Sequence, residues 1–493
     1  MHQEKAARDE EVRGGAAAVV PDAAPGRGAT SGRALHGGVP VTLGCLWALC
    51  ATALQLLRQP GVPAWDTMWQ EDGGVFYTDA LHRGIPDAVT RAYNGYLHLV
   101  PRLLAALAVE FPLGQGATFF AVASAIVTSA VSVYVFWAAR YVVPAAWARA
   151  LLSLLVVLSP VSAYETANNI NNLHWYLLFA LVFVPFSRPQ SRSALALDLL
   201  VVVLAVLSDS EAVLLAPLFL PGAVRGLRRR DFRGLLPALA FGACLLVQFV
   251  VGAGGKQPGR YASSSWADLP GIFAFRVVGS LLLGDRYLTR LYDAQGLVFA
   301  FACLAGAVVL FAGAAVLAPA ARGTLAVAAC GALLFFVVPL MLRGTENFLT
   351  RPGSNLNGSR YALLPVLFLA CGLLAAAAHL APVAVDAQAR LGVVPAVVTM
   401  LTLTVVAYNY ADVSVRTAGP SWRAELGKAA LRCDSTGDAP GEQGALSAEN
   451  AGGTPAGPAD IIVPIAPSLP HDVPFAVLTS CRALHEQIGS GQR

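Results

Sequence analysis

The chain has 493 residues, of which 56% are hydrophobic and only 13% charged. Soluble globular domains carry about 25% charged residues, so this surface cannot be mainly aqueous. Long apolar runs recur along the chain, which implies lipid around it rather than one oversized core. A net charge of +4 is small for this length and excludes nucleic acid as a natural partner.

Residues 1–38 are rich in Ala, Gly, Arg and acids without apolar period, and are expected to be a disordered cytoplasmic tail. The first apolar run, 40–57, lies too far from the N-terminus for a signal peptide and reads as a retained span. Further runs follow at 116–138, 150–164, 173–186, 194–208, 211–223, 234–252, 296–318, 324–342, 361–380 and 392–409. The expected fold class is an all-α polytopic membrane protein with about eleven transmembrane helices, occupying 39–410. Arginines in the short loops (Arg140, Arg149, Arg188, Arg192, Arg225, Arg228–Arg230, Arg233, Arg322, Arg390) place those loops and the N-terminus in the cytoplasm. The long loops 58–115, 253–295 and 343–360 and the tail from 411 then lie outside. The expected location is the inner or plasma membrane, multi-pass, with the C-terminus extracytoplasmic. The basic residues are nearly all arginine, a composition that points to a GC-rich bacterial genome.

The densest polar cluster follows the first span: Trp65-Asp66-Thr67-Met68-Trp69-Gln70-Glu71-Asp72-Gly73-Gly74-Val75-Phe76-Tyr77-Thr78-Asp79. The two glycines are expected to let the backbone turn tightly after the acidic pair. A carboxylate there, under an aromatic cover, suits a general base or a metal ligand. A solvated acidic turn anchored by interfacial aromatics is the plainer reading. Tyr93-Asn94-Gly95-Tyr96-Leu97-His98-Leu99-Val100-Pro101-Arg102 follows, then an apolar stretch, Leu103 to Leu113, too short to span and expected to lie in the interface. A second interfacial helix is expected at 271–284.

These motifs, a long first outer loop and about eleven spans resemble the GT-C superfamily of integral membrane glycosyltransferases, in particular bacterial members. The topology covers roughly 40–410, the motif about 65–105. The resemblance implies a polyprenyl-phosphate sugar donor and an acceptor hydroxyl on an envelope glycan, glycolipid or protein at the non-cytoplasmic face. It puts a general base on Asp72 or Glu71, with Asp72 preferred because it precedes the glycines, and inversion at the anomeric carbon. No cofactor is required by it, although a divalent cation, Mg or Mn, stays open. A transporter or flippase of a lipid-linked envelope precursor would use the same outer residues without bond making. An O-antigen-type ligase or polymerase would place its large outer loop later in the chain.

A lipid-phosphate leaving group calls for cations at the outer interface. Arg91, Arg102, Arg286, Arg290, Arg343, Arg351 and Arg360 are candidates, since arginine binds phosphate bidentately; each could instead meet headgroups or snorkel. Tyr96 and His98 join the substrate-binding set. So do Glu165, Asn169 and His174, from the polar turn Tyr164 to Trp175, and Asp209, from Ser208-Asp209-Ser210-Glu211. Capped helical turns would explain both clusters equally.

The tail, 411–493, is expected to form a small extracytoplasmic region: a helix from Trp422 to Arg432, a flexible Gly/Ala-rich stretch at 435–459, and strands at Ile461–Pro467 and Phe475–Leu478. Cys433 and Cys481 are the only cysteines outside the spans. An oxidising location makes them an expected disulfide, with two free thiols as the alternative.

Overall fold

The computed structural model describes residues 41–161, 163–189, 191–253, 263–345, 358–380, 392–411, 415–436, 460–467 and 475–489. The N-terminal tail, Arg351 and the Gly/Ala-rich stretch beyond 436 lie outside the described residues.

Each of the eleven apolar runs contains helix, although the run expected at 150–164 leaves it after Val157. Length and composition support a membrane crossing for six: Leu113–Tyr141, Ser210–Arg229, Phe232–Ala253, Leu297–Leu317, Pro319–Arg343 and Arg360–Leu380. Val41–Leu56, Ala146–Val157, Leu173–Phe186 and Val393–Tyr408 are apolar but shorter, and Arg192–Val206 has 15 residues. Arg360–Leu380 runs through the centre, packed against Arg322–Arg343, Ala146–Val157 and Leu173–Leu181. Phe232–Ala253 and Leu297–Leu317 expose Phe249, Val250, Val298 and Val309 instead. Apolar faces of that extent are stable only against lipid.

The first loop departs from expectation at its acidic pair. Glu71-Asp72-Gly73-Gly74 is not a tight turn; Asp72–Tyr77 is a wide helical turn that continues as the helix Thr78–Arg83. Gly73 is there for close approach. A Cβ on it would lie 2.7 Å from Ile465 Cδ1, 2.7 Å from Met68 Sδ and 2.8 Å from Val477 Cγ2. A small hairpin follows, Ala92–Tyr93 paired antiparallel with Tyr96–Leu97. Asn94 (φ 51°) and Gly95 (φ 82°) supply the left-handed turn that a two-residue hairpin needs. Gln248, buried on Phe232–Ala253, clamps the hairpin by accepting from Leu97 N at 2.9 Å and donating to Leu97 O at 3.0 Å. The short apolar helix expected at Leu103 to Leu113 runs Leu99–Ala108, earlier than expected. The second expected one is helical from Leu269 to Leu283.

The tail forms the helix Trp422–Thr436, antiparallel strands Asp460–Pro464 and Ala476–Ser480 with Ile462 opposite Leu478, and a further helix Cys481–Gly489. Cys433 and Cys481 are disulfide-bonded. These elements pack on the first loop. Gln70 N donates to Ala466 O at 2.8 Å, and Ala466 N donates to Met68 O at 3.0 Å. Trp422 Nε1 donates to Leu113 O at 2.9 Å, and Ser421 Oγ donates to Asp66 Oδ2 at 2.6 Å. Loop and tail therefore share one side of the bilayer, and the chain crosses an even number of times between them.

Candidate functional site

Asp72 is enclosed, with 1% of its surface exposed. Its Oδ2 accepts from Ile170 N and its Oδ1 from Asn171 N, both at 2.9 Å. Two successive amides can converge on one carboxylate because Asn168 adopts a left-handed conformation (φ 56°), which asparagine tolerates. The buried Arg416 guanidinium fastens the same turn, donating to Ala167 O at 2.5 Å and Asn168 O at 2.9 Å, and lies 5.5 Å over the Trp69 ring. Burial raises the Asp72 carboxyl to about 7, although both amides and Arg416 favour the anion. Burial likewise lowers Arg416 to about 10, against the pull of Asp72.

Glu71 is partly exposed. Asn171 Nδ2 donates to its Oε2 at 3.4 Å, and it lies in the electrostatic field of Arg360. Arg360 pairs with the buried Glu165 through its guanidinium, and its backbone N donates to Glu165 Oε2 at 2.9 Å. Asn169 supports this turn from within: Nδ2 donates to Glu165 O, and Oδ1 accepts from Asn172 N at 3.0 Å. Arg360 and Arg343 both lie over the Tyr361 ring, at 5.0 and 5.8 Å.

A second group adjoins them. His174 Nδ1 meets Asp209 Oδ2 at 2.5 Å. Asp209 Oδ1 also caps the following helical turn, accepting from Glu211 N at 2.7 Å. Tyr96 stacks on His98 at 4.0 Å, and the His98 and His174 rings are 6.4 Å apart. Burial lowers His98, reinforced by His174 and Arg102; burial raises Tyr96, reinforced by Asp209. Arg343 has Tyr361, Tyr96, Arg360 and Glu211 as its electrostatic neighbours and so joins the two groups. Among the described residues no three His, Cys, Asp or Glu side chains come together as a cation cage.

The structure thus brings together Glu71, Asp72, Tyr96, His98, Glu165, Asn169, His174, Asp209 and Arg360. It draws other candidates elsewhere. Arg102 is buried against Asp79 at 3.2 Å, donates to Ala88 O at 2.7 Å and covers Phe76. Burial pushes its guanidinium down. Arg91 reaches the same Asp79 at 3.7 Å. This knot closes the loop on itself. Arg286 and Arg290 serve the end of Val393–Tyr408, donating to Tyr408 O and to the Tyr408 hydroxyl, each at 3.4 Å. Glu211 and Trp175 lie in the two polar clusters that the sequence marks, Glu211 ranking below Asp209 there, whereas Arg416 and Tyr361 are not marked as site residues by the sequence. Arg416 carried the signal used for the others, an arginine just beyond an apolar run on the outer side.

No family model and no curated protein matches the chain. Two solved structures are similar to it. One is ArnT from Cupriavidus metallidurans in the apo state, 15% identical, with a TM-score of 0.32 over 70% of this chain and 79% of that one. The other is the Archaeoglobus fulgidus oligosaccharyltransferase in complex with Zn and sulfate, 13% identical, with a TM-score of 0.39 over 80% of this chain and 56% of that one. At these scores neither superposition by itself establishes a shared fold.

Proposed function

We propose that the chain is an integral membrane glycosyltransferase that moves a sugar from a polyprenyl-phosphate donor to a hydroxyl of an envelope glycan, glycolipid or protein on the non-cytoplasmic face. One observation carries this reading. A partly exposed carboxylate, Glu71, lies in the field of Arg360, which shares the Tyr361 ring with a second arginine, Arg343. Transfer from a phosphate-linked sugar needs those two charges side by side. Cations hold the phosphate as it leaves, and a base takes the proton of the incoming hydroxyl.

The acceptor oxygen attacks the anomeric carbon as Glu71 draws off its proton. The bond from that carbon to the phosphate oxygen breaks, its electron pair stays on the phosphate, and the configuration inverts. Glu71 then returns its proton to water. Because both Asp72 oxygens already accept backbone N–H groups, Asp72 acts here as a positioning residue and Glu71 as the base.

The test uses the purified full chain in lipid, with polyprenyl-phosphate mannose, arabinose, glucose and galactose as donors, and envelope glycan analysis of a deletion strain carrying each variant. Glu71→Gln is expected to lower transfer about 10²–10⁴-fold while folding and expression persist. Wild-type levels of product from Glu71→Gln would overturn the base assignment.

A further inference from the structure

Beside the arginines lies a group of side chains that the transfer chemistry above does not use. It is rich in aromatic rings: Tyr96 on His98 at 4.0 Å, Trp175 tilted on His174 at 4.7 Å, and Trp175 edge-on to Tyr361 at 5.7 Å. Among the described residues, two buried polar atoms in this group have no hydrogen-bond partner. One is a donor, Trp175 Nε1, on a residue 2% exposed; the other is an acceptor, Glu211 Oε2. Buried polar atoms are ordinarily paired, and each exception asks for a partner. Glu211 is held in place, since Asp209 accepts its backbone N–H at 2.7 Å while also fixing His174.

A hydroxyl both donates and accepts, so a polyhydroxylated ring can satisfy a carboxylate oxygen and an indole N–H while its apolar face lies on aromatic rings. The position agrees with this. Glu211 and Tyr96 are electrostatic neighbours of Arg343, and the anomeric carbon is one bond from the phosphate oxygen that Arg343 and Arg360 would hold. We infer that Trp175, Glu211 and Tyr96, with the His174–Asp209 pair as positioning residues, form the subsite that reads the hydroxyls of the transferred sugar and selects among epimers. This rests on the donor reading given above.

Two measurements separate the inference from that reading. The first is stabilisation of the full chain in nanodiscs by polyprenyl phosphate alone and by each of the four polyprenyl-phosphate sugars. One sugar is expected to raise the melting temperature beyond polyprenyl phosphate, and Trp175→Phe and Glu211→Gln to abolish the excess alone. The second is kcat/KM for each donor. Glu211→Gln is expected to lower it about 10–100-fold for the preferred donor, and Trp175→Phe about 3–10-fold, each with a smaller effect on the poorer epimers. Glu71→Gln should lower all donors alike. Equal stabilisation by the phosphate and its sugars, or variants that leave the donor ratios unchanged, would overturn the subsite and assign both atoms to water. Stabilisation by none of the five lipids would overturn the donor reading itself.

Discussion

Replacing Asp72 by asparagine gives a prediction whose magnitude follows from the burial of one carboxyl. Burial takes that group from its ordinary 3.8 to about 7. Between those values the folded chain holds a proton that the unfolded chain has lost. A raised folded pKa means stability present at low pH and lost as pH rises toward 7. Each unit is worth 1.36 kcal/mol, so the whole loss is about 4 kcal/mol, of which about 3 kcal/mol falls between about pH 5 and about pH 8. Asparagine keeps one acceptor for Ile170 N or Asn171 N and turns an NH₂ toward the other. One buried N–H is then unpaired, at roughly 1–3 kcal/mol, but nothing titrates. Asp72→Asn is therefore expected to be equal to the wild type or up to about 2 kcal/mol less stable at about pH 5, and to equal or exceed it in mild alkali. Thermal unfolding in nanodiscs across that range reads the gap, and amide exchange at Ile170 and Asn171 localises it. Melting temperatures that stay parallel across the range, or a wild type that gains stability with pH, would refute the argument.

Gly73→Val forces the tail strands off the loop; overpacking costs roughly 1–3 kcal/mol, and calorimetry should show a lower melting temperature, with transfer lost because Glu71 and Asp72 immediately precede it. Cys433→Ser with Cys481→Ser opens a cross-link spanning 48 residues, worth about 4 kcal/mol. The unreduced wild type should resist alkylation at both positions, and alkylation of both would remove the pairing and the outside placement of the tail. Arg286→Gln and Arg290→Gln are expected to leave transfer within about 3-fold of wild type, whereas Arg343→Gln or Arg360→Gln should lower it about 100-fold or more, the range for a lost charge-stabilising contact. Transfer assays on all four variants with the same donors decide this.

Much of the helical plan can be read from the chain, because apolar length is a property of sequence alone. The tail strands are legible too, through Ile461–Pro464 and Ala476–Leu478. The acidic pair marks the right loop, and Glu165, His174 and Asp209 arrive at one place. What cannot be read is which partner each charged group takes. Arg102 and Arg416 look alike in sequence, each a lone outer arginine near an apolar run. One is drawn to Asp79, 23 residues away, and the other to carbonyls 249 and 248 residues away. The glycines after Asp72 are ambiguous in sequence for a related reason. A glycine that permits a turn and one that admits a neighbouring strand are the same letter, and the strands that need Gly73 lie almost 400 residues downstream.

The pairing of Met68 and Gln70 with Ala466 has a consequence for how the protein is made. Synthesis delivers the acidic loop well before the segments that seat it. Until the tail has crossed to the loop's side, Gln70 N lacks its acceptor, Gly73 faces no strand, and Arg416 has not closed on the turn that holds Asp72. An unfinished chain in the membrane would carry the loop's carboxylates unassembled. Assembly of Glu71 and Asp72 is thereby timed to the arrival of residues almost 400 positions downstream.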